Sequence, residues 1–226
     1  MATKTSGKKA KTMIGYWFSN DDGTTEHQTM PAVVGRTDTF DGDPVPCECG
    51  LHASPTPWDA LQYARGGRLW KVEIPADSVP HGNPADKFAA RSRKYLRCVN
   101  LRPVLVEFSC RQAEGVLHIY EEKYPDDNRP RKAIEAARAY QRGEIGKDQL
   151  DAAWDAAGAA AWDAAWDAAG AAAGAAAGAA AGAAARDAAR DAARDAAWAA
   201  ARDAALAAAR EMFNEMALAA LNGEIE

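Results

Sequence analysis

The chain has 226 residues, of which 48% are hydrophobic, and its formal net charge is −5. That length allows one sizeable domain or two small ones. Basic and acidic residues are interspersed beyond the N-terminal tail, which argues against a nucleic-acid surface, and the tail contains no apolar run that could form a signal peptide or a membrane span. We therefore expect a cytoplasmic protein whose residues 1–12 form a disordered basic tail, with no membrane contact.

Residues 13–80 predict a small α+β module. Met13–Ser19 has the composition of a strand and is followed by a turn sequence, Asn20–Gly23. A helix is expected from about Pro57 to Tyr63, capped by Ser54 or Thr56, and a strand with period-two alternation over Arg68–Ile74. Two further short strands are expected over 32–35 and 36–40.

Residues 81–146 predict a helical segment. The proline-rich stretch Pro75–Pro84 is interpreted as a linker that leads into it. Amphipathic or charge-patterned helices are expected at three places: 86–96, 105–120 and 131–141. The last of these ends before Gly143, which is typical of a helix C-terminus.

Residues 147–223 carry a four-residue repeat of the form x-[DA]-A-A, in which x is mainly Trp, Gly, Arg or Leu. Alanine at this density predicts helix. One straight helix over the whole repeat would be about 110 Å long at about 1.5 Å per residue, and its marker stripe would drift roughly 40° per repeat. We therefore favour a hairpin or bundle that folds back within the glycine tract, Gly170–Gly182.

The repeat tryptophans are its main large apolar side chains. They predict either packing within a bundle or contact with a protein partner. The tryptophans are Trp154, Trp162, Trp166 and Trp198.

The cysteines and histidines do not predict a metal site. Four cysteines are too few for a disulfide scaffold and indicate reduced thiols. Cys47, Cys49 and His52 lack the spacing of a zinc knuckle, so we expect Cys47 to be a small buried thiol and His52 to be hydrogen-bonded on a turn. We expect neither a metal nor a cofactor.

The order of elements around His52 and Ser54 allows an enzymatic alternative. A strand carrying Tyr16, the segment Gly50–Ser54, a helix and the strand Leu69–Ile74 are similar to the cores of ADP-ribosyltransferase-like proteins. That resemblance implies that Tyr16 and Ser54 hold a nicotinamide nucleotide, with Glu73 as the nearest candidate for the acidic residue. The predicted pocket consists of Tyr16, His52, Ser54, Tyr63 and Lys87.

Two longer motifs resemble families of bacterial and phage proteins. The segment CECGLHASPTPWDALQY, with the later Asp86-Lys87, resembles a module of unknown function in actinobacterial and phage reading frames. The segment YPDDNRPRKAIEAAR, from Tyr124 to Arg138, and the alanine repeat are similar to immunity proteins of bacterial polymorphic toxin systems. In those relatives bulkier markers occupy the positions of the glycine tract.

The second resemblance implies a protein that binds and neutralises a toxin. We expect a non-enzymatic inhibitor whose partner is a toxin or host protein. The expected partner-binding residues are the four repeat tryptophans with Asp126, Asp127, Arg129 and Arg131. Two alternatives are a nucleotide-binding or ADP-ribosyltransferase-like enzyme that uses Tyr16, His52, Ser54 and Glu73, and a structural protein that self-associates through its Ala/Gly helices.

Overall fold

The computed structural model describes residues 11–24, 30–179 and 184–224, and for residues 165–179 and 184–201 it describes the backbone alone. The chain divides into two compact units. Unit 1 contains Met1–Val104 together with Met212–Glu226, and unit 2 contains Leu105–Glu211. Strands in unit 1 and helices in unit 2 confirm the predicted α+β class with a helical C-terminal region.

The main sheet of unit 1 has four antiparallel strands in the order β1-β4-β7-β2. These strands are β1 (Thr12–Ser19), β2 (Thr37–Thr39), β4 (Arg68–Pro75) and β7 (Ser92–Asn100). The predicted strands over 13–19 and 68–74 are confirmed, and they pair with Trp17 opposite Trp70. Alternation on β4 buries Trp70, Val72 and Ile74, because successive side chains of a strand face opposite sides.

A second sheet has three antiparallel strands in the order β3-β6-β5. They are β3 (Leu51–Ala53), β5 (Val79–Gly82) and β6 (Ala85–Ala90). A backbone bridge between Tyr16 and Ser54 joins its edge to β1. The short helix α1 (Pro57–Leu61) follows β3, and the predicted cap is confirmed because the Thr56 side chain accepts a hydrogen bond from the Asp59 N–H.

The C-terminal end of the repeat region belongs to unit 1. Helix α5 (Ala184–Asn222) buries its last apolar side chains there at helical spacing: Phe213, Met216, Ala217, Ala220 and Leu221. The Phe213 ring lies edge-on to Trp58 with centroids 5.7 Å apart, and Asn214 Oδ1 accepts a hydrogen bond from the Trp58 N–H at 2.8 Å. The core of the N-terminal module therefore includes the last turns of α5.

Unit 2 is built from helices. They are α2 (Arg102–Lys123), α3 (Arg129–Gln141), α4 (Lys147–Ala179) and the first part of α5. Arg138 of α3 contacts Glu107 and Glu114, near the start and middle of α2, whereas Arg131 contacts Glu121 near its end. The ion pairs thus show that α2 and α3 run antiparallel.

The structure corrects three predictions of local structure. The expected linker over 75–84 contains β5, and the expected helix over 86–96 is instead β6 and the first half of β7. Lys87 and Arg93 occupy inward, buried positions of β6 and β7. Because both are cations, the sequence does not show the alternation of apolar and polar residues that identifies a half-buried strand. Of the two short strands expected over 32–40, the structure has one, β2, because 33–36 forms a turn closed by the Arg36 N–H and the Val33 carbonyl.

The alanine repeat is helical where the structure describes it. Helix α4 begins at Lys147, as predicted, and continues through Gly170 and Gly178 to Ala179. Part of the glycine tract in which a fold-back was expected, residues 180–183, lies outside the described residues, as do residues 1–10 of the basic tail.

Candidate functional site

Unit 1 contains a cleft of about 970 Å³ between the edge of β1, the β3 segment and β6. Its walls bring together all five residues of the pocket expected from the sequence: Tyr16, His52, Ser54, Tyr63 and Lys87. Glu73, the expected acidic residue, does not line this cleft. It lies on β4 with its Cα opposite Ile14, on the same face of the sheet as Tyr16 but outside the set of residues that line the cleft.

Lys87 lines this cleft and is largely buried, with 8% of its surface exposed. Its Nζ lies 3.1 Å from Cys47 Sγ and 3.8 Å from the centroid of the Tyr63 ring. A thiol and an aromatic face are weak partners for an ammonium group compared with a carboxylate. The lysine charge therefore enters the cleft with little compensation from these contacts.

Tyr63 is held by a carboxylate on the neighbouring strand. Its hydroxyl donates a hydrogen bond to Asp86 Oδ2 at 2.8 Å, and the other Asp86 oxygen lies 3.0 Å from His81 Nδ1. Burial and the hydrogen bond to Asp86 raise the pKa of Tyr63 to about 12. The phenol therefore remains protonated at neutral pH, and its ring is fixed beneath Lys87.

The opposite wall contains a polar network that sequence reasoning missed. Arg93 is 2% exposed, and it donates hydrogen bonds to the His52 carbonyl at 2.7 Å and to the Tyr95 hydroxyl at 2.9 Å. Its guanidinium lies 3.8 Å from the Trp17 ring centroid. The Tyr95 hydroxyl in turn donates to Asp38 at 2.7 Å. Arg93 therefore fixes the β3 segment, and the only signal in the sequence was a cation at an inward position of an alternating strand.

Asp38 completes this network. Burial alone would raise the pKa of Asp38, but hydrogen bonds from Tyr95 and Arg36 outweigh burial and hold that pKa below its usual value. Arg36 Nε lies 2.7 Å from Asp38 Oδ1. The carboxylate is thus ionised and already committed to two partners in the wall.

Cys47 differs from its prediction. The residue is exposed rather than buried, and it has a positive φ of 69°, an uncommon conformation for a side-chain-bearing residue. Its N–H donates to His52 Nε2 at 3.3 Å, which agrees with the expected hydrogen-bonded His52, but His52 lies on β3 and not on a turn. Among the described residues no group of three or more His, Cys, Asp or Glu side chains could hold a metal ion.

The helices of unit 2 present a second candidate surface. Two repeat tryptophans on α4 are exposed, Trp154 by 65% and Trp162 by 70% of their surface. The side chains of Trp166 and Trp198 lie outside the described residues. Tryptophan is one of the residue types most enriched at the hot spots of protein interfaces.

The segment that carries these tryptophans also decides the family. Residues 100–212 match a family model described as "Imm-5 like putative immunity protein". The chain belongs to this family. The match covers α2, α3, α4 and most of α5, and it leaves the sheets of unit 1 outside. Comparison with curated proteins and with solved structures gave no match.

Within the immunity-family segment, most of the motif residues expected to contact a partner form ion pairs inside unit 2. Arg129 Nη2 lies 2.6 Å from Asp127 and 3.0 Å from Asp163 of α4, and Arg131 Nε lies 2.7 Å from Glu121. Asp126 is exposed. The motif therefore joins α2, α3 and α4 to one another.

None of the helices that the structure describes combines the length and apolar character needed to cross a bilayer.

Proposed function

We propose that this protein neutralises a toxin by binding it through the exposed tryptophans of α4. The observation that carries the proposal is the exposure of Trp154 and Trp162 inside the segment that matches the immunity family. Their immediate neighbours in the sequence are small or acidic: Ala153 and Asp155 flank Trp154, and Ala161 and Asp163 flank Trp162. A partner that buries such rings gains contact area at a small cost in side-chain entropy.

The charge around the tryptophans favours a basic partner surface. Residues 147–164 contain four aspartates against one lysine. Asp163 is paired with Arg129 and Asp151 with Lys147, but Asp148 and Asp155 lie in the same stretch and leave it acidic. Complementary charge would guide the encounter, and the tryptophans would supply most of the affinity.

The cytoplasm remains the proposed location. The four cysteines, all described by the structure, are free, which fits a reducing compartment. The phage-borne origin suggested by the N-terminal motif is also a proposal, since that motif lies outside the matched segment.

The test begins with capture of partners from host lysate by the full chain. Each captured protein is then expressed alone in a susceptible host, and growth is measured with and without this chain. We expect one captured protein to arrest growth and the full chain to restore it. Because truncation of a buried interface tryptophan costs about 2 kcal/mol or more, each of Trp154→Ala and Trp162→Ala should weaken binding by roughly 30-fold.

The matched control is Val33→Ala/Val34→Ala, which removes exposed apolar side chains from unit 1 instead. It should bind and protect like the unchanged protein. If the double variant Trp154→Ala/Trp162→Ala protects as well as the unchanged protein, α4 is not the toxin-binding surface. If none of the captured proteins arrests growth, the immunity function itself is contradicted.

A further inference from the structure

The cleft of unit 1 contains features that toxin binding by the helices does not use. Its lining includes four basic residues, Arg36, Arg65, Lys87 and Arg93, against two acidic ones, Asp38 and Glu48. The excess of positive charge is notable because the whole chain has a net charge of −5. Positive charge is thus concentrated in a concave part of an otherwise acidic protein, which is the arrangement that attracts small anions.

Lys87 is the cation best suited to meet such an anion. Among the residues that the structure describes, no carboxylate lies within ion-pair distance of its Nζ, and its contacts are the Cys47 sulfur and the Tyr63 ring. Burial of an ammonium group costs free energy unless a counter-charge offsets it. An anion bound at Nζ would supply that charge, and the attraction would be stronger than in bulk water because the lysine is largely shielded from solvent.

Two hydroxyls and an aromatic ring extend the site beyond Lys87. Within the described part of the chain, neither the Tyr16 nor the Ser54 side-chain hydroxyl has a hydrogen-bond partner, and both residues line the cleft. Burial raises the pKa of Tyr16, so its phenol stays a hydrogen-bond donor at neutral pH. The Tyr63 ring, 42% exposed, offers an aromatic surface next to the lysine.

We propose that this cleft binds a nucleoside phosphate, with the phosphate at Lys87 and the base against the aromatic side chains. In one such molecule the phosphate would meet the lysine cation, the ribose would meet the free hydroxyls, and the base would meet the aromatic surface. The volume of about 970 Å³ lies at the upper end of the range of roughly 300–1,000 Å³ that is usual for small-molecule pockets. The inference goes beyond the toxin-binding proposal and uses different residues.

The test is calorimetric titration of the full chain with ADP, GDP, CDP and UDP, and with inorganic pyrophosphate and the matching nucleosides. We expect saturable binding of at least one diphosphate, at least tenfold tighter than either its nucleoside or pyrophosphate. Lys87→Met should weaken that binding by tenfold or more, and Tyr16→Phe by several-fold.

Lys94→Met is the matched control, because Lys94 is exposed on β7 and does not line the cleft. It should change the affinity less than twofold. Circular dichroism and thermal unfolding confirm that each variant is folded, and Tyr16→Phe, which removes one oxygen, tests the site if Lys87→Met does not fold.

Three results would overturn the proposal: no binding of any diphosphate, pyrophosphate binding as tightly as the diphosphate, or affinity unchanged in a folded variant of the site. None of them bears on toxin binding, since the tryptophans of α4 are intact in every variant. Conversely, Trp154→Ala should leave nucleotide affinity unchanged.

Discussion

The two units of this protein are stabilised by different interactions. Unit 1 buries large side chains, including Leu69, Trp70, Tyr95 and Phe213, and it packs the Trp17, Trp70 and Tyr95 rings with centroids 5.3–6.3 Å apart. In unit 2 the buried hydrophobic residues among those described are few and smaller: Cys110, Leu117 and Ala160. Its helices are joined instead by arginine–carboxylate pairs.

The difference shows that an alanine-rich helix can form without a large core. Alanine has the highest helix propensity, so backbone hydrogen bonds rather than side-chain burial define unit 2. Each exposed ion pair adds at most about 1 kcal/mol. Unit 1 should therefore respond to loss of packing, and unit 2 to changes of helix propensity and charge.

The largest expected effect is that of Phe213→Ala. This side chain is fully buried against Trp58, and removal of a buried phenylalanine costs about 3–5 kcal/mol. Leu206→Ala, on the same helix but 56% exposed, should change the free energy of unfolding by less than about 0.5 kcal/mol. Denaturant titration followed by tryptophan fluorescence measures both. Similar losses would mean that the end of α5 is not part of the core of unit 1.

Glycine-to-alanine substitutions should have opposite signs in the two units. A Cβ at Gly66 would overlap the Ser19 carbonyl oxygen and lie 2.5 Å from the Asn20 Cα, so Gly66→Ala should destabilise unit 1 by about 1–3 kcal/mol. A Cβ at Gly158 in α4 meets nothing within 4 Å, and alanine is about 1 kcal/mol better than glycine inside a helix. Thermal unfolding by circular dichroism gives both values. A stabilised Gly66→Ala variant would contradict the expected difference between the two units.

Lowering the pH should have the smallest effect on stability. This effect should be specific to the pair of helices α2 and α3. Hydrogen bonds from Arg138 hold the pKa values of Glu107 and Glu114 below their usual range. Their stabilising contribution is complete above the unfolded pKa of about 4.3 and is lost as the pH falls through the lower folded values. Helicity at 222 nm should therefore decrease slightly below about pH 4.

Arg138→Met should remove most of this acid-induced change, because it deletes two of the three ion pairs between α2 and α3 and leaves only Arg131–Glu121 among those described. Arg111→Met is the control, since Arg111 pairs with Glu107 within α2 alone. The two variants would have the same acid titration if the inter-helix pairs contribute nothing, and that result would contradict this account of unit 2.

Local patterns were sufficient to predict much of the fold. The alternation of Arg68–Ile74 identified β4, the two candidate caps Ser54 and Thr56 bracketed the start of α1, and alanine density identified α4. The pattern of Phe213, Met216, Ala217, Ala220 and Leu221 is also a plain amphipathic signal, but a sequence does not state which surface a helix covers. Its packing on Trp58, more than 150 residues earlier, is a tertiary property.

The candidate cleft was partly predictable for a related reason. The five residues grouped from the sequence all line one cleft, and they lie on or next to a few short elements: Tyr16, His52, Ser54, Tyr63 and Lys87. Arg36, Asp38 and Arg93 were missed because a buried arginine looks like a surface residue in the sequence. Only the structure shows that Arg93 points inward and donates hydrogen bonds to the His52 carbonyl and the Tyr95 hydroxyl.

Because the chain returns to unit 1 at Met212, a single cut within the repeat should not release a free fragment. A protease that cleaves once within the repeat would separate the covalent chain into two fragments, yet the shorter one still carries Phe213, Asn214 and Leu221. Those side chains would hold it to the longer fragment through the Trp58 contacts. The nicked protein should therefore migrate as one species under native conditions and as two in denaturant, with the cleft still formed.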